Sequence, residues 1–344
     1  MVEPLFVVVT AVATVLSPLL LAVAVVASPF VSGRWRPLRA TAFTIVWMHL
    51  EVVAIAVCAW IWLTSIGRID EPRTVRRHYR LMRWFLRRAC RSGVHLLNVR
   101  VSIEDDGVAD AVLRAGDRPL LMFSRHSGPG DTFYLLDLLL DDYGREPRIV
   151  MKEMLKLDPC IDLLGSRTPS YFVPPPMRRR KGAWAKAIGA LAAGLDRRGV
   201  LLLFPEGGNF SEERRRRRLV RLLRGGRRRD AERAVRMHHV VAPEPGGALT
   251  AVRAAPGASV ILVAHSGLAG LEGGKLLARA PMDQVFRVHL WYIDAAGIPR
   301  DDEPQRQWLL DCWQRIDDWV AADHEAQKPM ATTSGPGLAL HSSR

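Results

Sequence analysis

The hydrophobic pattern divides the 344 residues into an uninterrupted apolar front and an alternating remainder. From Leu5 to Ala27 no charged residue occurs, and a helical run of that length spans a hydrocarbon core of about 30 Å. A second run, Phe43 to Ile66, carries His49 and Glu51 as its strongly polar groups, while Trp47, Trp60 and Trp62 supply rings suited to a membrane interface. Residues 1–70 are therefore expected to form a two-helix membrane hairpin. A cleaved signal peptide fits less well, because no Lys or Arg precedes the first run, Glu3 is acidic, and the run outlasts a typical h-region. A carboxylate at mid-bilayer costs at least about 2.5 kcal/mol, so Glu51 is expected to be neutral, paired or near the surface. Arg34, Arg36 and Arg39 precede the second run, and nine arginines follow from Arg68 to Arg91. A spanning hairpin puts these clusters on opposite sides of the membrane, against the positive-inside rule, and a re-entrant hairpin puts them on one side. Both topologies stay open.

Between Thr74 and Cys90, Leu81, Met82, Trp84, Phe85 and Leu86 interleave with arginines, which predicts a basic amphipathic helix over 71–91, lying on anionic lipid or as an ordinary surface helix. Beyond Ser92, short β-rich runs alternate with helical stretches, the mark of an α/β domain with a central sheet over residues 92–328. Strands are predicted at Leu96 to Ile103, Pro119 to Phe123, Arg148 to Met151, Val200 to Phe204, Ser259 to Ala264 and Val285 to Tyr292. Helices are predicted at Pro129 to Leu140, Gly182 to Arg197 and Gln305 to Ala322. The tail over 329–344 has too little apolar surface to fold and is expected to be flexible.

Charge narrows the range of partners. Lys and Arg exceed Asp and Glu by 49 to 35, a formal +14, which favours an anionic partner. Residues 212–236 hold twelve arginines and four acids, +8 of that total, and read as a solvated helix, a disordered arm, or a surface for nucleic acid or for lipid or substrate phosphates. No recognisable nucleic-acid-binding motif accompanies it, so no specific nucleic acid is expected. The four cysteines, Cys58, Cys90, Cys160 and Cys312, form no close pair and suggest reduced thiols. His238, His239 and His265 lack metal-ligand spacing and read as structural or surface histidines.

Candidate chemistry sits at two strand ends. Phe123-Ser124-Arg125-His126-Ser127-Gly128-Pro129-Gly130-Asp131 follows an apolar strand and runs into a helix, with Pro129 suited to its first position and Asp131 in its first turn. The five-residue offset can bring Asp131 to one imidazole nitrogen of His126, fixing the tautomer and leaving the other nitrogen to take a proton. Val200 to Phe204 is a buried strand leading into Pro205-Glu206-Gly207-Gly208, a turn whose glycines allow backbone N–H groups to approach an anion.

Together these segments resemble the glycerolipid acyltransferase family, in which H-x-x-x-x-D is followed by a second block and then by F-P-E-G-T-R. That second block is matched by Lys152-Glu153-Met154-Leu155-Lys156-Leu157, Gly165 and Tyr171-Phe172-Val173. A fourth block is suggested by Pro256 to His265, with Ala264 and His265 where the family has a proline. The resemblance implies a central mixed sheet flanked by helices, behind the membrane hairpin. It makes His126 the general base and Asp131 its partner, and Arg125, Arg178, Arg179, Glu206, Gly207 and Gly208 substrate-binding. It implies transfer of a fatty acyl chain from acyl-CoA or acyl carrier protein to a lysophospholipid, foremost 1-acylglycerol-3-phosphate, at the cytoplasmic face of the cell membrane among membrane phospholipids, with no metal or bound cofactor. Gly208-Asn209 replaces the family's Thr-Arg and removes an arginine expected at the acceptor phosphate.

Two other readings compete. A serine hydrolase would use Ser127, but no G-x-S-x-G elbow is present. A membrane-anchored scaffold binding an anionic partner through the arginine-rich arm leaves His126, Asp131 and Glu206 without a shared purpose.

Overall fold

In a computed structural model of the chain, residues 2–31, 33–66, 68, 70–178, 182–267 and 282–327 are described. Helices α1 (Val2–Ala27) and α2 (Arg36–Leu63) are the two apolar runs, both long and apolar enough to cross a membrane. They pair as a hairpin in which Thr14 Oγ1 and His49 Nε2 lie 2.9 Å apart. Glu51 is turned toward protein: its side chain is buried and accepts the Trp47 indole N–H.

Helix α3 (Pro72–Leu97) is amphipathic as the sequence indicates, but it is longer than expected and takes Leu96 and Leu97 from the predicted first strand. Asn98, left-handed with φ 51°, ends it. Its apolar face is covered by protein: Trp47 of α2 makes an edge contact with Phe85, and the Tyr79 hydroxyl donates to the Pro147 carbonyl. Exposed Arg73, Arg76, Arg80, Arg83 and Arg88 remain on the outside, so the outward face is a cationic one.

Behind these helices lies the α/β unit. Its elements run β1 (Arg100–Asp105), α4 (Ala109–Ala115), β2 (Leu120–Ser124), α5 (Pro129–Asp137), β3 (Glu146–Lys152), α6 (Pro159–Arg167), β4 (Ser170–Val173), α7 (Ala183–Ala193), β5 (Gly199–Leu203), α8 (Glu212–Arg224), α9 (Arg228–Arg236), α10 (Pro245–Ala254), β6 (Ser259–Ser266), β7 (Val285–Ile293) and α11 (Asp302–Gln327). The sheet has order β1-β7-β6-β2-β5-β3-β4. Strands β6, β2, β5, β3 and β4 are parallel neighbours, β7 runs antiparallel to β6, and β1 is parallel to β7. The sheet is thus mixed, as expected. The six predicted strands are present; the seventh, Ser170–Val173, is an edge strand that the sequence reading passed over.

The central strands explain their sequence. Strand β2 is buried throughout, Leu120 and Met122 facing the layer that contains α2 to α6, Leu121 and Phe123 facing the layer of α7 to α11. A strand covered on both sides reads as a continuous apolar run, and each such side chain contributes roughly 1.5–3 kcal/mol. The arginine-rich stretch is neither a loose arm nor a single helix. Helices α8 and α9 bury Leu222, Ala231 and Ala234 in the second layer, and Arg218 is itself buried, donating to the Ala242 and Pro243 carbonyls. The expected flexible tail over 329–344 lies outside the described residues.

Candidate active site

Parallel pairing decides what meets what. In the β2–β5 ladder Phe123 is level with Leu203, so the turns that follow the two strands emerge side by side. In the β2–β6 ladder Ser124 is level with Val263, which brings the end of β6 to the other flank of the same turn. Strand β3 pairs β5 with Ile149 level with Leu202, so Lys152 ends beside the Pro205–Gly208 turn. Ligand sites of open α/β sheets gather outside such carboxyl strand ends.

At the first turn, His126 Nδ1 lies 3.0 Å from Asp131 Oδ1 and 3.2 Å from Oδ2. Asp131 occupies the first turn of α5 and reaches back, its Oδ2 accepting the Ser127 N–H at 2.7 Å and the Gly128 N–H at 3.0 Å. Carboxylates are favoured there because the free N–H groups of a helix start point at them. Burial alone would raise the Asp131 pKa, but His126, His265 and the Gly128 N–H outweigh it and hold it at about 2. An ionised acceptor fixed on Nδ1 directs the Nδ1–H tautomer and leaves Nε2 of the part-exposed His126 as the proton acceptor. The imidazole stacks on Phe204, with ring centroids 4.4 Å apart.

Glu206 fastens the two turns together. Its Oε1 accepts the His126 N–H at 3.3 Å and its Oε2 the Val241 N–H at 3.2 Å. Burial pushes its pKa up to about 7, although the neighbouring Arg125 and the two N–H donors pull the other way. Phe210 N–H adds a 2.6 Å bond to the His126 carbonyl.

Two of the residues expected to bind substrate are buried and engage the backbone. Arg125, expected to bind substrate, is buried, and its guanidinium donates to the backbone carbonyls of His265 at 2.6 Å and His239 at 3.0 Å. Glu206, assigned to the phosphate site, is likewise buried and spent on backbone N–H groups. Both hold loops in position. Arg178 is exposed and reaches Glu153 at 2.8 Å, at the rim beyond β4; Arg179 lies outside the described residues. Ser127 is buried, its hydroxyl turned inward to within 3.4 Å of His265 Nδ1, so it is not presented to a substrate as a hydrolase nucleophile would be.

Gly207 and Gly208 form the turn beside these residues, and two cations meet at Gly208. Both have positive φ, 72° and 156°, conformations that favour glycine. A Cβ built on Gly208 would stand 2.9 Å from Arg214 Nη1 and 3.0 Å from Lys152 Nζ. Two cationic heads therefore converge over the bare glycine, one from the end of β3 and one from the first turn of α8. Arg214 is aimed by its bond to the Glu206 carbonyl, 3.0 Å, and its helix is capped by Ser211. In the sequence Lys152 stands within the second block without a role, while the arm beginning at Arg214 is one of the places, with Arg125 and Arg178 to Arg180, that could supply the missing charge. The signal available for Lys152 was a cation closing an apolar strand.

A model of the acyltransferase family matches residues 99–263. The chain carries an acyltransferase domain. The matched segment runs from the start of β1 into β6 and contains His126, Asp131, Lys152, Glu206 to Gly208 and Arg214. In fold, the chain is similar to the crystal structure of the 1-acyl-sn-glycerophosphate (LPA) acyltransferase, PlsC, from Thermotoga maritima. That similarity has a TM-score of 0.55 at 17% identity and covers 83% of this chain and 98% of that one. A search of curated proteins gave no match. The acyltransferase domain thus holds a His–Asp pair and a two-cation loop at the carboxyl end of one parallel sheet.

Proposed function

We propose that this enzyme moves a fatty acyl chain from a thioester, acyl-CoA or acyl carrier protein, to the free hydroxyl of 1-acylglycerol-3-phosphate. The observation that carries the reading is the pairing of His126 Nδ1 with the ionised Asp131, beside the convergence of Arg214 and Lys152 on Gly208. His126 Nε2 takes the proton of the acceptor hydroxyl as its oxygen attacks the thioester carbonyl. The tetrahedral intermediate then collapses, the C–S bond breaks, and the thiolate recovers that proton from the imidazolium. Positioned proton transfer of this kind contributes roughly 10² to 10⁴-fold. Asp131 stabilises the transient imidazolium. A phosphomonoester carries up to two charges and several acceptor oxygens, which suits a guanidinium fork with an ammonium beside it.

Two apolar helices at the N-terminus support action at a membrane, where a lysophospholipid resides. The arginines of the exposed α3 face favour an anionic, cytoplasmic leaflet. The test is acylation of a panel of acceptors by purified membranes: lysophosphatidic acid should be acylated, and a monoacylglycerol lacking the phosphate should be a far poorer acceptor. Equal use of both acceptors contradicts the acceptor assignment.

A further inference from the structure

His265 is fully buried at the end of β6, two residues beyond the segment matched to the acyltransferase family, and the reaction outlined above makes no use of it. Its surroundings are specific. Nε2 stands 3.0 Å from the Arg125 carbonyl oxygen and 3.4 Å from Asp131 Oδ2, while Nδ1 faces the Ser127 hydroxyl at 3.4 Å. A carbonyl and a carboxylate only accept, so the proton belongs on Nε2, which donates to the Arg125 carbonyl with Asp131 Oδ2 beside it. Nδ1 is then the acceptor for Ser127, and a neutral ring satisfies every neighbour.

The consequence falls on Asp131. Its Oδ2 already receives the Ser127 and Gly128 N–H groups, and the His265 ring sets its Nε2–H edge 3.4 Å from the same oxygen from a separate strand. Its Oδ1 receives the Thr132 hydroxyl at 3.1 Å and lies at the shorter distance from His126 Nδ1. We propose that His265 is a positioning residue: as a neutral Nε2–H tautomer it holds the Arg125 carbonyl and turns its polar edge to Oδ2, and so fixes the turn and the carboxylate with Oδ1 directed at His126. The inference rests on the His126–Asp131 reading and adds a second imidazole to it.

Neutrality matters as much as position. A cation at this depth would compete with His126 for the Asp131 carboxylate. Burial holds the His265 pKa at about 4, with Asp131 pulling it up and Arg125 and His126 pushing it down. At neutral pH the ring therefore orients the carboxylate without diluting its charge. The contact arises because β6 is the neighbour of β2 on the side away from β5.

His265→Leu and His265→Gln test this, since the glutamine amide N–H reaches as far as imidazole Nε2 whereas leucine has no donor. For His265→Leu, kcat should fall about tenfold with acceptor KM unchanged, the scale of leaving one buried carbonyl unsatisfied. A carboxylate relieved of the neighbouring N–H dipole interacts more strongly with its remaining partner, so the acidic limb of the kcat/KM profile should move up by about half a pH unit. His265→Gln should recover kcat to within about threefold and restore the limb. Should the leucine variant not fold, His265→Asn, whose shorter amide corresponds to Nδ1, takes its place and is expected to be as impaired. A leucine variant with wild-type kcat and profile, or a glutamine variant no better than asparagine or leucine, overturns the proposal. His126→Ala, measured alongside, separates the two readings: an active alanine variant removes the dyad itself, and an inactive one beside a normal His265→Leu removes only the role of His265.

Discussion

The Glu206 carboxylate accepts the backbone N–H of His126 at 3.3 Å across 80 residues of sequence. One carboxylate therefore ties the turn that bears the base to the turn that bears Gly207 and Gly208. Because the other oxygen holds Val241, neither can be lost without slack in the site. Glu206→Gln keeps the shape but turns an amide N–H₂ toward one of the two N–H donors. We expect kcat/KM to fall by roughly 10- to 100-fold, the cost of about 1–3 kcal/mol for a buried group left unsatisfied. Steady-state kinetics beside a thermal melt check this, and unchanged kinetics would show that the tie is dispensable.

Arg214→Ala removes the larger of the two cations at Gly208. Acceptor KM should rise by on the order of tenfold or more, because a charge-assisted hydrogen bond to phosphate is lost, while kcat falls less. Arg214→Lys should recover part of the affinity. An equal loss with a phosphate-free acceptor would argue that Arg214 only supports the loop.

Gly208→Ala introduces a methyl group where Arg214 Nη1 would be 2.9 Å away, at φ 156°. The strain of such a conformation is about 1–3 kcal/mol, and the guanidinium must move. We expect the variant to melt several degrees lower and to share the raised acceptor KM of Arg214→Ala. Wild-type KM would show that the cations do not bind over the glycine.

The Asp131 carboxyl, at about 2 in the folded chain against an ordinary 3.8, is depressed by folding. A depressed acid stabilises the fold above its ordinary pKa, and that stability disappears as pH falls toward the folded value. The contribution is roughly 2 kcal/mol. Thermal melts of wild type and Asp131→Asn should therefore differ most near neutrality and draw together between about pH 4 and pH 2. A constant gap would mean that the charge of Asp131 is not what folding uses.

How much of this was legible beforehand follows from distance along the chain. His126 and Asp131 are five residues apart on one turn, so local helix-start chemistry suffices to pair them. Glu206 and His126 meet only because β2 and β5 are neighbours, which neither segment encodes alone. Arg125 misleads for a related reason: a charged residue beside a catalytic histidine suggests a ligand contact, yet here it serves carbonyls brought in by β6 and by the 238–242 segment. Ser170–Val173 is four residues at the sheet edge followed by three prolines, too short to stand out by alternation. The arginines of 212–236 mask Leu222 of α8 and Ala231 and Ala234 of α9, the few apolar side chains by which the two helices pack. His265 was visible as a departure from family pattern, but its purpose depends on strand order.

Acyl transfer from labelled acyl-CoA or acyl carrier protein to lysophosphatidic acid, with wild type, His126→Ala and Ser127→Ala in matched membranes, tests the central claim most directly. The expected result is loss of turnover by roughly 10² to 10⁴-fold or more in His126→Ala, with Ser127→Ala retaining most of the activity. Labelled phosphatidic acid formed equally well by His126→Ala would contradict the account.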